Sequence, residues 1–333
     1  MIFKTSMKVL RSLSSDAARS PCALAIGNFD GVHKGHQALL HQLKTAAYRL
    51  GLSPTVLTFS PHPRQFFAQQ SGMLSDVPIT ITPFRDKMQA LADAGVEQVY
   101  AVRFDAAMAS LTAQAFIEKV LVGALNVRWM TVGENFRFGK DRAGTTELLV
   151  EMGRLHRFEV VVMPAVMDGD IRMSSSEVRQ ALTSCQFDRV ASLLGRPYQL
   201  SGHVVQGNRL GREMGFPTAN LSVKQDTSVL SGVFISRVHG LSGKPLPAVS
   251  VVGNRPTVIE NGHTVLETHL LGFSGDIYGM LIKVEFLKKL RDNRKFPDLA
   301  ALKKAIRQDI NTAESYFSIR EAAANGNRIN SRC

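Results

Sequence analysis

The reading of one stretch, Ala23-Leu24-Ala25-Ile26-Gly27-Asn28-Phe29-Asp30-Gly31-Val32-His33-Lys34-Gly35-His36, decides the fold of the first half of the chain. Its four leading apolar residues read as a buried strand. Beyond it, Leu39, Leu43, Ala46 and Leu50 recur at spacings of four, three and four, which predicts an amphipathic helix closed by Gly51. A strand, a glycine-rich turn and a helix in that order begin a βαβ unit, and an open parallel sheet presents its ligand crevice at such a turn. Glycines there let backbone N–H groups approach phosphate, and the helix start adds partial positive charge. The HxGH spacing sets the imidazoles of His33 and His36 at one end of the loop, as donors to phosphate oxygens.

Working outward, strand and helix signals keep alternating. Pro54 to Phe59 reads as the next buried strand, and Thr82-Pro83 opens a helix that ends before Gly95. Gln98 to Val102, a helix near Thr112 to Val122, Trp129 to Val132, a helix near Glu147 to Met152, and Phe158 to Met163 complete a doubly wound α/β domain. After Arg196-Pro197 the rhythm changes to short runs, Gly202 to Val205, Gly232 to Val238, Ala248 to Val252, Thr264 to Leu271 and Met280 to Phe286, separated by Gly and Pro turns. Those runs predict an antiparallel barrel, and an amphipathic helix follows from about Leu299 to Ala313. The expected domains are 1–187 and 188–318, with a polar tail, 319–333, lying loose on the surface.

Composition bounds the function. A chain of 333 residues exceeds what one core of about 250–300 residues holds, so two domains are expected. The net charge of +12 favours anionic partners, but Lys and Arg never form a run of five, which points to phosphate metabolites and away from nucleic acid. Cys22, Cys185 and Cys333 are odd in number and far apart, unlike a disulfide framework or a zinc site. Met1 to Ser15 is broken by Lys4, Lys8 and Arg11 and lacks a signal-peptide core, and no apolar run spans a membrane; a cytoplasmic protein without a membrane partner is expected.

Further motifs follow predicted strands. Thr58-Phe59-Ser60-Pro61-His62-Pro63-Arg64 is a proline-stiffened loop whose His62 and Arg64 can face the crevice, and Val132-Gly133-Glu134-Asn135-Phe136-Arg137-Phe138-Gly139 lies at another carboxyl end. In Met173-Ser174-Ser175-Ser176-Glu177-Val178-Arg179 the serines suit either a plain helix cap or phosphate contact, with Arg179 one turn beyond Ser176. In the second half, Gly207-Asn208-Arg209-Leu210-Gly211-Arg212-Glu213-Met214-Gly215-Phe216-Pro217-Thr218-Ala219-Asn220 is a basic, glycine-rich loop that can wrap a polyphosphate. The side-chain oxygens of Thr218 and Asn220, two residues apart, can reach one Mg²⁺.

The string Gly27 to His36, with the later serine motif, resembles the nucleotidyltransferase superfamily, in its bacterial FAD synthetase form. The Gly207 to Asn220 loop resembles the riboflavin kinase module, together with Gly253-Asn254-Arg255-Pro256-Thr257, Glu267-Thr268-His269, Gly275-Asp276-Ile277-Tyr278-Gly279 and Arg291 to Phe296. The chain from about Met7 to Phe317 is thus similar to bacterial bifunctional riboflavin kinase/FMN adenylyltransferases. The resemblance implies a Rossmann-like amino-terminal nucleotidyltransferase domain and a carboxyl-terminal six-stranded antiparallel β-barrel ending in a helix. It implies riboflavin and ATP giving FMN at the barrel, then FMN and ATP giving FAD at the first domain, with Mg²⁺ as cofactor.

Carried over residue by residue, the resemblance gives His33 and His36 a catalytic role and puts ATP on Gly27, Asn28, Phe29, Asp30, His33, His36, Ser174, Ser176 and Arg179. FMN falls to His62, Arg64 and Asn135. In the barrel it gives ATP to Gly207, Gly211, Arg212, Gly215, Pro217 and Thr218, the flavin to Glu267, Arg291 and Phe296, the metal to Thr218 and Asn220, and activation of the ribityl hydroxyl to Glu267. Two positions depart from the pattern: Gly272 stands where Asp is common, and Asn293 where the RxExKF segment has Glu. Residues 1–6 precede the family's usual start at Met7. A different transferase with an RNA-binding barrel would also be basic and carry HxGH, but would not need PTAN or ETH.

Overall fold

A computed structural model describes residues 7–13, 20–73, 77–207, 211, 214–223, 229–254 and 264–330. The opening apolar run lies in strand β2 (Cys22–Ile26), buried at every residue. Around it are β1 (Lys8–Leu10), β3 (Ser53–Ser60), β4 (Gln98–Arg103), β5 (Val127–Gly133) and β6 (Glu159–Met163), in the order β1-β4-β3-β2-β5-β6. Every pairing in this sheet is parallel, which explains why its inner strands are apolar runs and not alternating patterns: both faces are covered. From β2 the chain first builds outward through β3 and β4, then crosses to β5 on the other side, so the carboxyl ends of β2 and β5 flank the switch point.

Helix α1 (Lys34–Leu50) returns the chain from β2 to β3, burying Leu39, Leu40, Leu43, Ala46 and Ala47, and ends on Gly51 at φ 65°. The proline-stiffened loop after β3 is in fact a helix, α2 (Pro63–Ser71), because Pro63 suits a first turn and His62 caps it. Next come α3 (Phe84–Asp93), α4 (Ala106–Ala109) and α5 (Ala113–Ala115). The last continues as a π-helical turn over Phe116–Ala124, with the Leu125 N–H reaching Val120 O at 3.0 Å. Helix α6 (Thr146–His156) leads to β6, and a small hairpin, β7 (Met167–Asp168) and β8 (Ile171–Arg172), precedes α7 (Ser175–Thr183) and α8 (Phe187–Leu194). Strand β1, three exposed-edge residues long, is too short to show a periodicity.

Packing divides the chain into two units: Met1–Pro78 with Lys87–Glu177, and Ile79–Asp86 with Val178–Cys333. Helix α8 belongs to the second, its Phe187 ring lying 6.0 Å from Phe234 and 6.2 Å from Phe286. The excursion Ile79–Asp86 is built into that unit as well. Tyr198 donates its hydroxyl to Ile81 O at 2.7 Å, Ser201 N–H donates to Asp86 Oδ2 at 3.0 Å, and the Ser201 hydroxyl donates to Asp86 Oδ1.

The second unit is a closed antiparallel barrel of β9 (Gln199–Val205), β10 (Ala219–Ser222), β11 (Gly232–His239), β12 (Leu246–Asn254), β13 (Thr264–Leu270) and β14 (Leu281–Arg291), ordered β10-β13-β12-β11-β14-β9. Alternation along the strands sends Phe234, Val252, Leu266 and Phe286 inward. Three fully buried hydroxyls join three strands in a chain, Ser236 to Ser250 at 2.7 Å and Ser250 to Thr268 at 2.9 Å, so each is satisfied. Helix α9 (Leu299–Asn330) lays Ile310, Ala313 and Phe317 over Val233, Ile235 and Val249. It is longer than the expected Leu299 to Ala313, and its backbone stays helical through most of 319–333, where a loose tail was expected. The run Glu321-Ala322-Ala323-Ala324 is rich in strong helix formers.

Candidate functional site

In the first unit the segment after β2 folds into a tight, left-handed loop. Phe29 sits at φ 50°, Gly31 at φ 79° and Val32 at φ 42°. A β-branched residue at positive φ is a genuine outlier, and here it is held by the Val32 N–H on Phe29 O (3.2 Å) and by Gln37 Nε2 on Val32 O (2.8 Å). His33 caps α1, its Nδ1 accepting from His36 N–H over a long 3.4 Å. The two imidazoles stack at 3.7 Å between centroids, and Phe29 lies 5.1 Å from the His36 ring.

Gly35 is dictated by closeness: a Cβ there would lie 3.0 Å from the His33 ring and from Met173 O. The serine segment therefore abuts this loop, and Ser175 Oγ donates to Asp30 O at 3.0 Å. Ser174 caps α7 by accepting from Glu177 N–H at 3.2 Å, and Ser176 is in the same first turn. The loop that carries Gly27, Asn28, Phe29, Asp30, His33 and His36 at the switch point is thus met by Ser175, next to the predicted Ser174, whereas Ser176 is exposed. Arg179 is grouped with the second unit and donates Nε–H to Ile79 O at 2.7 Å. His62 follows β3 and caps α2, accepting from Arg64 N–H at 3.0 Å; Arg64 is exposed. Asn135 follows β5, exposed, and donates to Glu134 Oε1 at 3.3 Å.

Burial first, then the neighbouring His33 and Lys87, hold the His36 pKa well below the ordinary imidazole range, so His36 is neutral at pH 7. Its Nδ1 and the Asn28 Oδ1 are buried without a hydrogen-bond partner among the described residues, as expected of groups waiting on a ligand. Lys87, which no motif marks, donates from Nζ to Asn28 O at 3.2 Å. A signal existed: Phe84, Lys87, Met88 and Leu91 share one helical face, so the lysine occupies a position of the apolar stripe.

In the second unit, β10 runs antiparallel to β13 with Asn220 opposite Glu267. His269 Nδ1 meets Pro217 O at 2.7 Å and fastens the end of the glycine-rich loop to the same strand. Glycine is required twice in that loop. A Cβ on Gly207 would collide with the Asn220 amide, and one on Gly211 would lie 2.6 Å from Phe216 O and 3.1 Å from Thr218 Oγ1. Arg212 and 255–257 lie outside the described residues; Gly215 takes φ 88°.

Two cavities meet at this wall. One, of about 450 Å³, is lined by Glu267, Arg291, Phe296, Asp309 and Gly211, and the other, of about 500 Å³, by Gly207, Pro217, Phe273 and Tyr278; Thr218 and Asn220 line both. Arg291 is fixed by Asp309 of α9, with Nε 3.1 Å from both carboxylate oxygens and Nη2 2.8 Å from Oδ2, and its guanidinium lies 5.5 Å from the Phe296 ring. Asp309 is a site residue that sequence reasoning missed. At the departure Asn293, the side-chain amide donates to Val252 O at 2.8 Å, a bond an ionised Glu could not make. Gly272 adopts φ 65°, which suits glycine better than Asp. Among the described residues no group of three or more His, Cys, Asp or Glu side chains could hold a metal, whereas Thr218 and Asn220 offer the hard oxygen donors that Mg²⁺ takes.

A glycine-rich histidine loop at the switch point of a parallel sheet, and a barrel whose Glu267 shares a cavity with a Thr/Asn pair that also lines a second one, suit a two-site phosphate-transfer enzyme. Comparison with known proteins makes the class particular. Residues 15–177 match the FAD synthetase family model, and residues 194–317 the riboflavin kinase family model. The chain is 41% identical over 319 residues to a bifunctional riboflavin kinase/FMN adenylyltransferase of Escherichia coli strain K12, covering 95% of this chain and 100% of that protein. It is 37% identical over 314 residues to the enzyme of that name from Haemophilus influenzae, covering 94% and 100%. A solved structure from Streptococcus pneumoniae, described as a macrolide-efflux protein, superposes with a TM-score of 0.73 at 28% identity, covering 92% of this chain and 99% of that one. Among the described residues no helix is long and apolar enough to cross a membrane. The chain belongs to the bifunctional riboflavin kinase/FMN adenylyltransferase family.

Proposed function

We propose that the barrel phosphorylates riboflavin and that the parallel-sheet unit adenylylates the resulting FMN, each with ATP. The observation that carries this division is that Glu267 faces a Thr218/Asn220 wall shared by two cavities, while the His33/His36 loop lies in the other unit. At the barrel the flavin occupies the cavity of Glu267, Arg291 and Phe296, and ATP the one of Gly207, Pro217 and Thr218. An alcohol is a poor nucleophile near pH 7. Glu267 accepts the proton of the ribityl 5′-hydroxyl as its oxygen bonds to the γ-phosphorus and ADP departs. Thr218 and Asn220 would hold Mg²⁺, which supplies charge neutralisation at the phosphates.

At the other site the nucleophile is the FMN phosphate, already anionic. Its oxygen bonds to the α-phosphorus of ATP and pyrophosphate departs, so the site needs alignment and donors, not a base. His33, His36, the loop N–H groups and the serine cap of α7 supply them, with Arg179 as a further ATP residue and His62, Arg64 and Asn135 for FMN. The net charge of +12 suits these anionic substrates. Incubating the purified chain with riboflavin, ATP and Mg²⁺ and resolving flavins by chromatography tests the reading. FMN and then FAD should appear; absence of either product removes the site assigned to it.

A further inference from the structure

Strand β13 carries Glu267 and His269 two residues apart, so both side chains leave the same face of the strand, and both line the cavity that Thr218 and Asn220 also line. The backbone holds one side of this group: Asn220 of β10 stands opposite Glu267, and Ala219 opposite Thr268. Pro217 and Thr218 lie past the end of that register, and proline has no N–H with which to extend a ladder. Its carbonyl is met instead by His269 Nδ1 at 2.7 Å. A carbonyl oxygen only accepts, so Nδ1 carries the proton and donates it. The half-buried imidazole also meets the edge of Phe216, with ring centroids 6.1 Å apart and planes at 90°. The loop's own closing bond, Phe216 N–H to Gly211 O at 2.7 Å, ties it to itself and not to the barrel. Thr218 is thus fixed from both ends, by Pro217 on His269 and by Ala219 in the ladder, and both fixings run to the strand that carries the carboxylate.

We propose that His269 is a positioning residue of the kinase reaction, its Nδ1–H holding the Pro217 carbonyl so that Thr218, on the phosphate side, keeps its place against Glu267. The proposal rests on the reading of the Glu267, Thr218 and Asn220 wall as the kinase site. Reacting groups must meet in near-attack geometry, and a misplacement of about 1 Å can cost about a hundredfold in rate. The test measures FMN formation by the full chain with riboflavin and ATP varied, beside thermal unfolding. His269→Phe keeps a ring against Phe216 and removes the donor. It is expected to lower kcat for FMN formation about ten- to a hundredfold, with KM for riboflavin unchanged within about twofold, since Arg291, Phe296 and Asp309 line the rest of that cavity. His269→Asn places an amide N–H where Nδ1–H stands and should recover kcat to within about threefold of the parent. His269→Gln carries its amide one methylene further, near the Nε2 position, and should recover less. If His269→Phe unfolds the barrel, the comparison of Asn with Gln carries the test. Parental kcat in His269→Phe, or recovery in His269→Asn no greater than in His269→Gln, would overturn the proposal. A Glu267→Gln variant that still phosphorylates riboflavin at the parental rate would overturn the site reading itself, a result distinguishable from failure of the histidine alone.

Discussion

At the scale of single residues, the two sites differ in what their side chains must do, and that difference is testable. His36 is buried, neutral and stacked on His33, a donor group and not a titrating base. His36→Ala should cut FAD formation from FMN by at least about a hundredfold and leave FMN formation intact. Glu267, by contrast, has to take a proton. Glu267→Gln should abolish FMN production yet still convert supplied FMN to FAD; retained kinase turnover would strip Glu267 of its role. The histidines, the serine cap and the PTAN residues were legible because they sit in contiguous motifs. The bond of Lys87 to the Asn28 carbonyl and that of Asp309 to Arg291 were not, because each is made from a helix whose only local message is amphipathicity. A lysine on an apolar stripe is the faint mark such a residue leaves.

At the scale of elements, α9 is both a wall of the cavity assigned above to the flavin and the source of Asp309. Asp309→Asn would leave the Arg291 guanidinium without its carboxylate, with a stability loss of about 1–3 kcal/mol. It should raise KM for riboflavin while FAD formation from FMN stays constant; unchanged thermal unfolding and unchanged KM would refute the coupling. The same element shows where pattern reading fell short. Its start at Leu299 was legible from the apolar spacing, but its continuation to Asn330 was not, since polar residues there hide the helix behind a tail-like composition. β2 through β5 were legible as apolar runs because both sheet faces are covered, whereas β6, a half-exposed edge strand, was legible from its run of valines. β10 was missed: four residues, Ala219–Ser222, within a motif otherwise read for its chemistry, give too little alternation to register. α2 was hidden for the opposite reason, since its first residue is a proline, read as a loop signal although it also suits a first helical turn.

At the scale of the whole molecule, the second unit claims a piece of chain from far upstream. Ile79–Asp86 contributes the buried Ile81 and the Asp86 carboxylate that takes both donors of Ser201. A fragment beginning at Val178 therefore lacks part of its own unit. It should unfold at a lower temperature than the kinase unit does in the full chain, and Asp86→Ala in the full chain should reproduce about 1–3 kcal/mol of that loss. Equal melting of fragment and parent would show the excursion to be dispensable. The excursion also has a meaning in time. Ile81 leaves the ribosome 117 residues before Tyr198 and Asp86 leaves 115 before Ser201, a wait on the order of ten seconds at translation rates of about 5–20 residues per second. All six strands of the parallel sheet are synthesised while this loop is still unclaimed, so its bonds to Tyr198 and Ser201 can form only after that sheet has left the ribosome.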